Sequence, residues 1–302
     1  MTAARVGTWL LVVVGLAAAG APWLATSDVS SHHPDLALAP PSLQRRALVE
    51  RLPPTYRTLD ERLPLEWFAG TLVRSADPAE PLLPLGSDSL GRDQWTRLLH
   101  GARLSLGLTL AGLTGALGIG TLLGLLAGSS GGWLDTTVMR LADLFIAWPA
   151  LYVVLVLRAA MPLSLPFASL FTLMALVLTL AGWPIVARAV RSVTAAERTR
   201  ESVLAARAAG ATGGWIIRRH LLPAAMPVVV TQALLLVPSF ILAEATLSFI
   251  GLGFSDPTPS WGTMLIEAAQ PFTLRHAPWL LAPAATIALV TLAVNLVADR
   301  RW

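Results

Sequence analysis

The chain has 302 residues, of which 55% are hydrophobic and 13% are charged; because soluble domains carry about 25% charged residues, this composition excludes an ordinary soluble protein and predicts an all-α integral membrane protein. The net charge of +4 comes from arginines that lie mostly beside apolar segments, so it indicates membrane orientation and not nucleic-acid binding. The sequence has no cysteine and no lysine, which excludes disulfides, thiolate metal sites and a Gly-x-x-x-x-Gly-Lys-Ser/Thr phosphate-binding loop.

The first apolar run covers residues 7–25 and follows Arg5. Its 19 residues match the roughly 20 that cross the hydrocarbon of a bilayer, so we predict a transmembrane helix within residues 1–25. A basic start and small residues also suit a cleaved signal peptide, and the sequence leaves this alternative open.

A polar region follows at residues 26–101, with ten acidic residues and eight arginines. We predict an extended extracytoplasmic loop here. In its last part, Gly86 and Gly91 allow tight turns, and Asp88 or Asp93 can cap the helix that follows. Arg92 and Arg103 are placed to pair with these acids. This part is either a plain turn before a helix or has a direct role in transport.

Five further apolar segments are long enough to cross a membrane: residues 104–128, 141–157, 165–187, 224–249 and 277–298. Together with the first run they make six predicted transmembrane helices. The segment 104–128 contains seven glycines: Gly107, Gly112, Gly115, Gly118, Gly120, Gly124 and Gly128. Because small residues at such spacing let helices approach closely in lipid, we predict that they serve helix packing and do not line a pore.

The most strongly charged stretch lies between the fourth and fifth predicted helices, at residues 188–223, with seven arginines against two acids. Its alanines and arginines favour a short helix that Gly210 is placed to end. Residues 212–214 are predicted to keep the helix from resuming at once. A second short helix would begin at Ile216, and Pro223 would mark the start of the next apolar segment. The alanine-rich helix either fits a groove of another protein or belongs to a basic loop without a partner.

The arginines predict the orientation of the chain, because short arginine-rich loops stay on the cytoplasmic side. The 188–219 stretch is therefore predicted to be cytoplasmic. Counting six helices outward places both termini, with Arg5, Arg300 and Arg301, on the same side. The 26–101 region then lies outside.

Ionisable residues at membrane depth are candidates for function. Asp143 is predicted to pair with Arg140, three residues earlier on the same helix. Glu244, in the fifth helix, is either a hydrogen-bonding group within the helix bundle or a gate that faces a pore. Trp261, in the loop after that helix, either anchors at the membrane interface or plugs the outer mouth.

No catalytic or metal-binding constellation is predicted. The five histidines are scattered, and none forms a His-Glu-x-x-His pair for zinc. A secondary transporter and a membrane-bound enzyme are two function classes that a membrane protein of this composition could represent. A secondary transporter would usually show more buried ionisable groups and inverted repeats.

Four stretches, in order along residues 84–265, carry a resemblance to a known family. They are Pro84-Leu-Gly-Ser-Asp-x-x-Gly-Arg-Asp93 with Gly101-Ala-Arg-x-Ser-Leu106; Gly131-Gly-Trp-x-Asp135 with Met139-Arg-x-x-Asp143; Ala205-Ala-x-x-x-Gly210 through His220-Leu-Leu-Pro223; and Glu244-Ala-x-Leu-Ser-Phe-x-Gly-Leu-Gly253 with Pro257-x-Pro-Ser-Trp-Gly-x-Met-Leu265. The chain resembles the inner-membrane permease subunits of peptide-type ABC importers, the dipeptide, oligopeptide and nickel group, and is most similar to the C-type permease of the pair.

The resemblance implies the type I ABC importer permease fold, with an N-terminal helix in residues 1–25, an extracytoplasmic region in 26–101 and a five-helix permease core in 102–302. It implies a non-catalytic chain in the cell inner membrane, with both termini in the cytoplasm. The implied partners are a second permease subunit in a heterodimer, two ATPase subunits, an extracytoplasmic solute-binding protein and the lipid bilayer. ATP and magnesium would be used by the ATPase subunits, and this chain would bind no cofactor.

The resemblance also implies roles for individual residues. The coupling helix that docks on an ATPase subunit would contain Leu204, Ala205, Ala206, Arg207, Gly210 and Ala211. The rest of the coupling loop would contain Ile216, His220 and Pro223. The translocation path or gate would contain Glu244, Ser248 and Trp261. The outer motif would consist of Gly86, Asp88, Gly91, Arg92 and Asp93. The family usually has glutamate where this chain has Leu204, which puts one polar contact to the ATPase in question.

Overall fold

The computed structural model of the chain describes residues 3–41, 65–67, 71–75, 81–148, 152, 155–156 and 166–298. Its α-helices are α1 Ala3–Ala19, α2 Ala21–Leu24, α3 Gln94–Ser130, α4 Gly132–Ala147, α5 Phe167–Glu197, α6 Glu201–Ala208, α7 Gly213–Ile216, α8 Leu222–Phe249, α9 Trp261–Ala268, α10 Pro271–His276 and α11 Ala282–Ala298. A π-helical turn, Ile217–Leu221, joins α7 to α8. Short 3-10 turns occur at Pro34–Leu36 and Pro278–Leu281.

Helices form the membrane part of the chain, as predicted. Among the described residues, four helices are long and apolar enough to cross a bilayer, with mean hydropathies between 1.8 and 2.1: Gln94–Ser130, Phe167–Glu197, Gly213–Phe249 and Pro278–Ala298. Helix α1 is apolar but has 17 residues, and part of the predicted segment 141–157 lies outside the described residues. The chain is a multi-pass membrane protein, and the count of six spans stays a prediction.

A small β-hairpin lies in the region that precedes α3. Strand β1 (Leu65–Trp67) pairs antiparallel with strand β2 (Val73–Ser75), with residue 66 opposite residue 74. The pairing gives backbone N–H and C=O groups in this proline-rich region the partners that a helix would otherwise supply. The sequence pattern did not predict these strands, because three-residue runs are too short to show a period of two.

The chain forms two compact units, one of residues 1–107 and 242–300 and the other of residues 108–241 and 301–302. In the first unit, α1 packs against α11. Gly7 allows the close approach, since an added Cβ would lie 2.5 Å from the carbonyl oxygen of Ala293. The first apolar run is thus part of the packed core of this unit.

In the second unit, one face of α3 packs closely against α5 through its glycines. An added Cβ on Gly124 would lie 2.6 Å from the carbonyl oxygen of Ala187. The glycines of this face and their neighbours are Gly112 with Leu178, Gly115 with Thr179, Gly120 with Val186, Gly124 with Val190, and Gly128 with Thr194. Gly118 is off this face and has no described heavy atom within 4 Å of an added Cβ. The prediction that the glycines serve helix packing is confirmed for this face.

Helix α5 also packs against α4 in the second unit. Ala142, Trp183 and Ala187 form a buried apolar cluster. The ring of Phe145 meets that of Trp183 edge-on, with 5.5 Å between the centroids, which is a favourable geometry for an aromatic pair.

Two ion pairs join α4 and α5, and one of them differs from the predicted pairing. Arg191 donates to the Asp135 carboxylate at 2.5 and 2.9 Å. Asp143 pairs with Arg188 of α5 and not with Arg140. The predicted pairing of Asp143 with Arg140 was wrong because spacing along one helix cannot reveal a partner on another helix.

The end of α5 also differs from the prediction. Both arginines lie in this helix, which continues to Glu197, past the loop boundary predicted at residue 187.

Candidate functional site

The predicted coupling helix forms as α6 and ends in a Schellman motif. Gly210 adopts φ +85°, a left-handed conformation that costs glycine little because it has no Cβ. The Gly210 N–H donates to the Arg207 carbonyl oxygen, and the Ala211 N–H donates to the Ala206 carbonyl oxygen, both at 3.0 Å. The predicted helix-ending glycine is confirmed.

Helix α6 has one buried side and one exposed side. Val203 is fully buried, whereas Leu204 is 50% exposed. Ala205 and Arg207 are also exposed, and Ala206 is half-buried. The helix therefore presents a leucine, small residues and an arginine to the outside, while its Val203 side is buried.

The chain after α6 differs from the separate second helix that the sequence predicted. The Thr212 hydroxyl accepts a hydrogen bond from the Trp215 N–H at 3.4 Å, so the helix resumes at Gly213 despite two glycines. Residues Gly213–Phe249 then form one continuous helix. Pro223 lies inside that helix and does not mark its boundary.

Two physical reasons explain this error. The Thr212 cap offsets the low helix propensity of the glycines that follow it. The π-helical turn Ile217–Leu221 ends two residues before Pro223, and such turns relax the backbone hydrogen-bond ladder that a proline interrupts. Local sequence signals for breakers were present, but the cap and the π-turn outweighed them.

The other residues predicted for the coupling loop lie at the beginning of this long helix. Ile216 is 2% exposed and belongs to the core of the second unit. The ring of His220 packs against that of Trp215, with 5.5 Å between the centroids. Pro223 is exposed. Their contribution to coupling stays a prediction.

The outer motif belongs to the first unit and folds around a buried ion pair. Gly86 and Gly91 make the predicted tight turns, with φ of +74° and +73°. The Asp88 carboxylate accepts from Arg92 Nε at 2.6 Å and from the Arg92 N–H at 2.9 Å. Asp88 and Arg92 are 1% and 4% exposed. The predicted pairing of Arg92 is confirmed.

Asp93 caps α3, as predicted, and also ties down the segment after α2. Its carboxylate accepts from the N–H groups of Trp95 and Thr96 at 3.1 and 3.2 Å. The Thr26 hydroxyl donates to the same carboxylate at 2.6 Å. Burial raises the pKa of Asp93 above its ordinary value, although the hydrogen bonds from Thr26, Thr96 and the backbone oppose the shift.

The sequence analysis missed two partners of this motif, Arg97 and Asp256. The Asp256 carboxylate accepts from Arg92 NH1 at 3.0 Å and from Arg97 NH2 at 3.1 Å. Burial alone would raise the pKa of Asp256, but the two arginines lower it below its ordinary value. Asp256 lies in a loop far along the sequence, so no local pattern predicts its contact with the arginines. Arg97 lies in the first turn of α3 and was recognisable from the sequence as a possible partner for the acids of this motif.

Glu244, Ser248 and Trp261 come together in one buried hydrogen-bond network of the first unit. Ser105 Oγ and Ser248 Oγ donate to the Glu244 carboxylate at 2.7 and 2.8 Å. The backbone N–H of Trp261 donates to Ser105 Oγ at 3.2 Å. Ser105, which the sequence analysis did not single out, joins the three predicted residues.

The surroundings of this network decide between some of the alternatives. Glu244 is 1% exposed and is a hydrogen-bonding group within the helix bundle. Trp261 is fully buried, so the alternative that it anchors at the membrane interface is wrong. A role of these residues in gating stays a prediction.

Within the described part of the chain, no three acidic or histidine side chains come together in a way that could hold a metal ion.

Comparison with known proteins identifies the family. Residues 120–300 match the family described as binding-protein-dependent transport system inner membrane component. The chain is 38% identical to the dipeptide transport system permease protein DppC of Alkalihalophilus pseudofirmus, over 71% of this chain and 68% of the relative. It is 34% identical to the di/tripeptide transport system permease protein DppC of Pseudomonas aeruginosa, over 97% of this chain and 84% of the relative. It is 36% identical to the oligopeptide transport system permease protein OppC of Bacillus subtilis, over 71% of this chain and 68% of the relative.

The family match covers more than half of the chain, and it includes α6, the residues Glu244, Ser248 and Trp261, and the last transmembrane helix. The chain therefore belongs to the family of binding-protein-dependent transport system inner membrane components.

Proposed function

We propose that this chain is the C-type permease subunit of an ATP-driven importer of peptides. Support comes from three relatives whose names specify dipeptide, di/tripeptide and oligopeptide transport. A secondary transporter does not suit a family whose description specifies dependence on a binding protein. The chain transmits motion and makes no covalent change to the peptide.

In the proposed assembly, this chain pairs with a second permease subunit, two ATPase subunits and an extracytoplasmic solute-binding protein. The ATPase subunits use ATP and magnesium, and this chain binds no cofactor. Residues 188–223 and both termini face the cytoplasm, and residues 26–101 face outward. The absence of lysine supports the division of labour, because a phosphate-binding loop needs one.

The observation that carries the proposal is the geometry of α6. A short helix with an exposed leucine, alanines and an arginine is held between two long helices, α5 and the continuous helix Gly213–Phe249. The connections on both sides of α6 are short, and Gly210 and Thr212 fix the second one. A displacement of α6 by an ATPase would therefore pass to α5 and α8 as a rigid-body movement.

Glu244, Ser248 and Trp261 are proposed to change their hydrogen bonding at the outer end of the helix when α6 is displaced. Glu244 and Ser248 lie on the continuous helix that begins next to α6. The buried Glu244 carboxylate accepts hydrogen bonds from Ser105 and Ser248, and losing either bond in another state would leave a buried carboxylate partly unsatisfied at a considerable cost. Such a network would favour two discrete states over a continuum, as alternating access requires.

Purification of the tagged chain from its native membrane tests the assembly. We expect ATPase subunits and a second permease to co-purify with the unmodified chain. Gly210→Pro should reduce the yield of ATPase subunits, because proline cannot adopt φ +85°. Arg275→Gln, at an exposed position of α10, is the control and should retain both partners. An intact transporter without any ATPase subunit would refute the proposal.

A further inference from the structure

The exposed surface of the α6 region has a composition that specifies its partner. Leu204 lies at the centre of α6, and positions three and four residues later, Arg207 and Ala208, share its face. All three side chains are exposed. The face therefore combines one large apolar side chain with a small residue and a cation.

Three arginines of this region have no side-chain partner in the part of the chain that the structure describes. Among the described residues, no ion pair or hydrogen bond involves the side chain of Arg207, Arg218 or Arg219, and all three are exposed. By contrast, Arg200 pairs with Glu197 at 3.1 Å. Glu201 is the other acid of the stretch, and it lies in the first turn of α6, where the helix dipole favours a negative charge.

The surface is also ordered before a partner arrives. The Schellman motif at Gly210 and the Thr212 cap fix the turn between α6 and the next helix. An ordered surface loses less conformational entropy on binding than a flexible loop does. The leucine is thus presented in a defined position.

We infer that the ATPase subunit that binds this chain has a groove with an apolar pocket for Leu204 and an acidic rim that faces Arg207, Arg218 and Arg219. This inference rests on the proposed function and adds the chemistry of the partner. A polar pocket would place the apolar Leu204 side chain against polar groups. A basic rim would leave the three arginines without a group of opposite charge. Opposite charges at the rim of an interface mainly raise the association rate and set specificity.

Binding of purified ATPase subunits to the permease pair in phosphatidylcholine nanodiscs tests the inference, with the dissociation constant measured at low and high salt. Leu204→Ala should weaken binding about tenfold. The reason is that roughly half of the leucine side chain is exposed in the free chain, and the variant would lose the burial of that half in the pocket of the ATPase. Arg207→Gln should weaken binding several-fold at low salt and reduce the salt dependence, because one screened attraction is removed. Arg275→Gln should change neither quantity.

The outcomes separate the inference from the proposed function. Unchanged affinity with Leu204→Ala, or unchanged salt dependence with Arg207→Gln, would overturn the inference while the ATPase partnership stands. Failure of the unmodified pair to bind any ATPase would instead overturn the proposed function. If the arginine substitutions weaken binding only in nanodiscs that contain phosphatidylglycerol, the cations serve the lipid surface and the acidic rim is wrong. A rescue of Arg207→Glu by an acid-to-arginine substitution in the ATPase groove would be the strongest support.

Discussion

Gly210 shows how one residue fixes the shape of the coupling region. Its positive φ brings two backbone N–H groups onto the carbonyl oxygens of Ala206 and Arg207, so these two acceptors in the last turn of α6 are satisfied. The neighbouring Gly213 differs in that it has an ordinary helical φ and begins the next helix. Two nearby glycines therefore have opposite requirements.

Alanine substitutions at these two glycines should have opposite effects. Gly210→Ala should destabilise the end of α6 by about 1 kcal/mol, because a Cβ is unfavourable in the left-handed region. Gly213→Ala should be neutral or slightly stabilising, since no described heavy atom lies within 4 Å of an added Cβ. Hydrogen–deuterium exchange of residues 201–212 measures the difference, with about fivefold faster exchange expected for Gly210→Ala. Equal exchange in the two variants would contradict the capping role.

At the residue scale, the sequence predicted local features and missed distant ones. The cap Asp93, the turn glycines Gly86 and Gly91, and the helix-ending Gly210 follow from backbone chemistry within a few residues. The pairing of Asp143 with Arg188 does not, because the partner lies on another helix.

At the element scale, α5 and the continuous helix Gly213–Phe249 show why the existence of helices was predictable and their ends were not. Apolar runs predicted where helices cross the bilayer. The helices continue beyond these runs because ion pairs to α4 stabilise the arginines of α5, and because a cap and a π-turn extend the fifth span backwards to Gly213. Hydropathy does not record either effect.

The close contact of α3 with α5 leads to a prediction about its glycines. Gly124→Ala would place a Cβ 2.6 Å from the carbonyl oxygen of Ala187 and should force the two helices apart. Overpacking of this kind costs about 1–3 kcal/mol, so the thermal midpoint in detergent should fall by a few degrees.

Gly118→Ala is the matched control on the same helix. It adds the same methyl group where no described heavy atom lies within 4 Å, and alanine favours a helix over glycine. Its thermal midpoint should be unchanged or higher. A similar loss of stability in both variants would show that helix propensity, and not the contact with α5, governs these positions.

At the scale of the whole molecule, each unit carries one part of the proposed mechanism. The second unit contains α6, which is proposed to receive motion from an ATPase, and the first contains the outer ion pairs and the buried Glu244 network. The order of these parts along the chain was predictable from the resemblance to a family. The chemistry of each part was not, since it depends on contacts such as those of Asp256 and Ser105.

The central claim is that ATPase motion enters this chain through α6 and drives import. The most direct measurement is uptake of a labelled peptide by liposomes that contain the complete transporter, with the solute-binding protein outside and ATP inside. The account predicts ATP-dependent uptake that Arg207→Glu reduces at least tenfold, while Arg275→Glu leaves it unchanged. Uptake without ATP, or full uptake with Arg207→Glu, would contradict it.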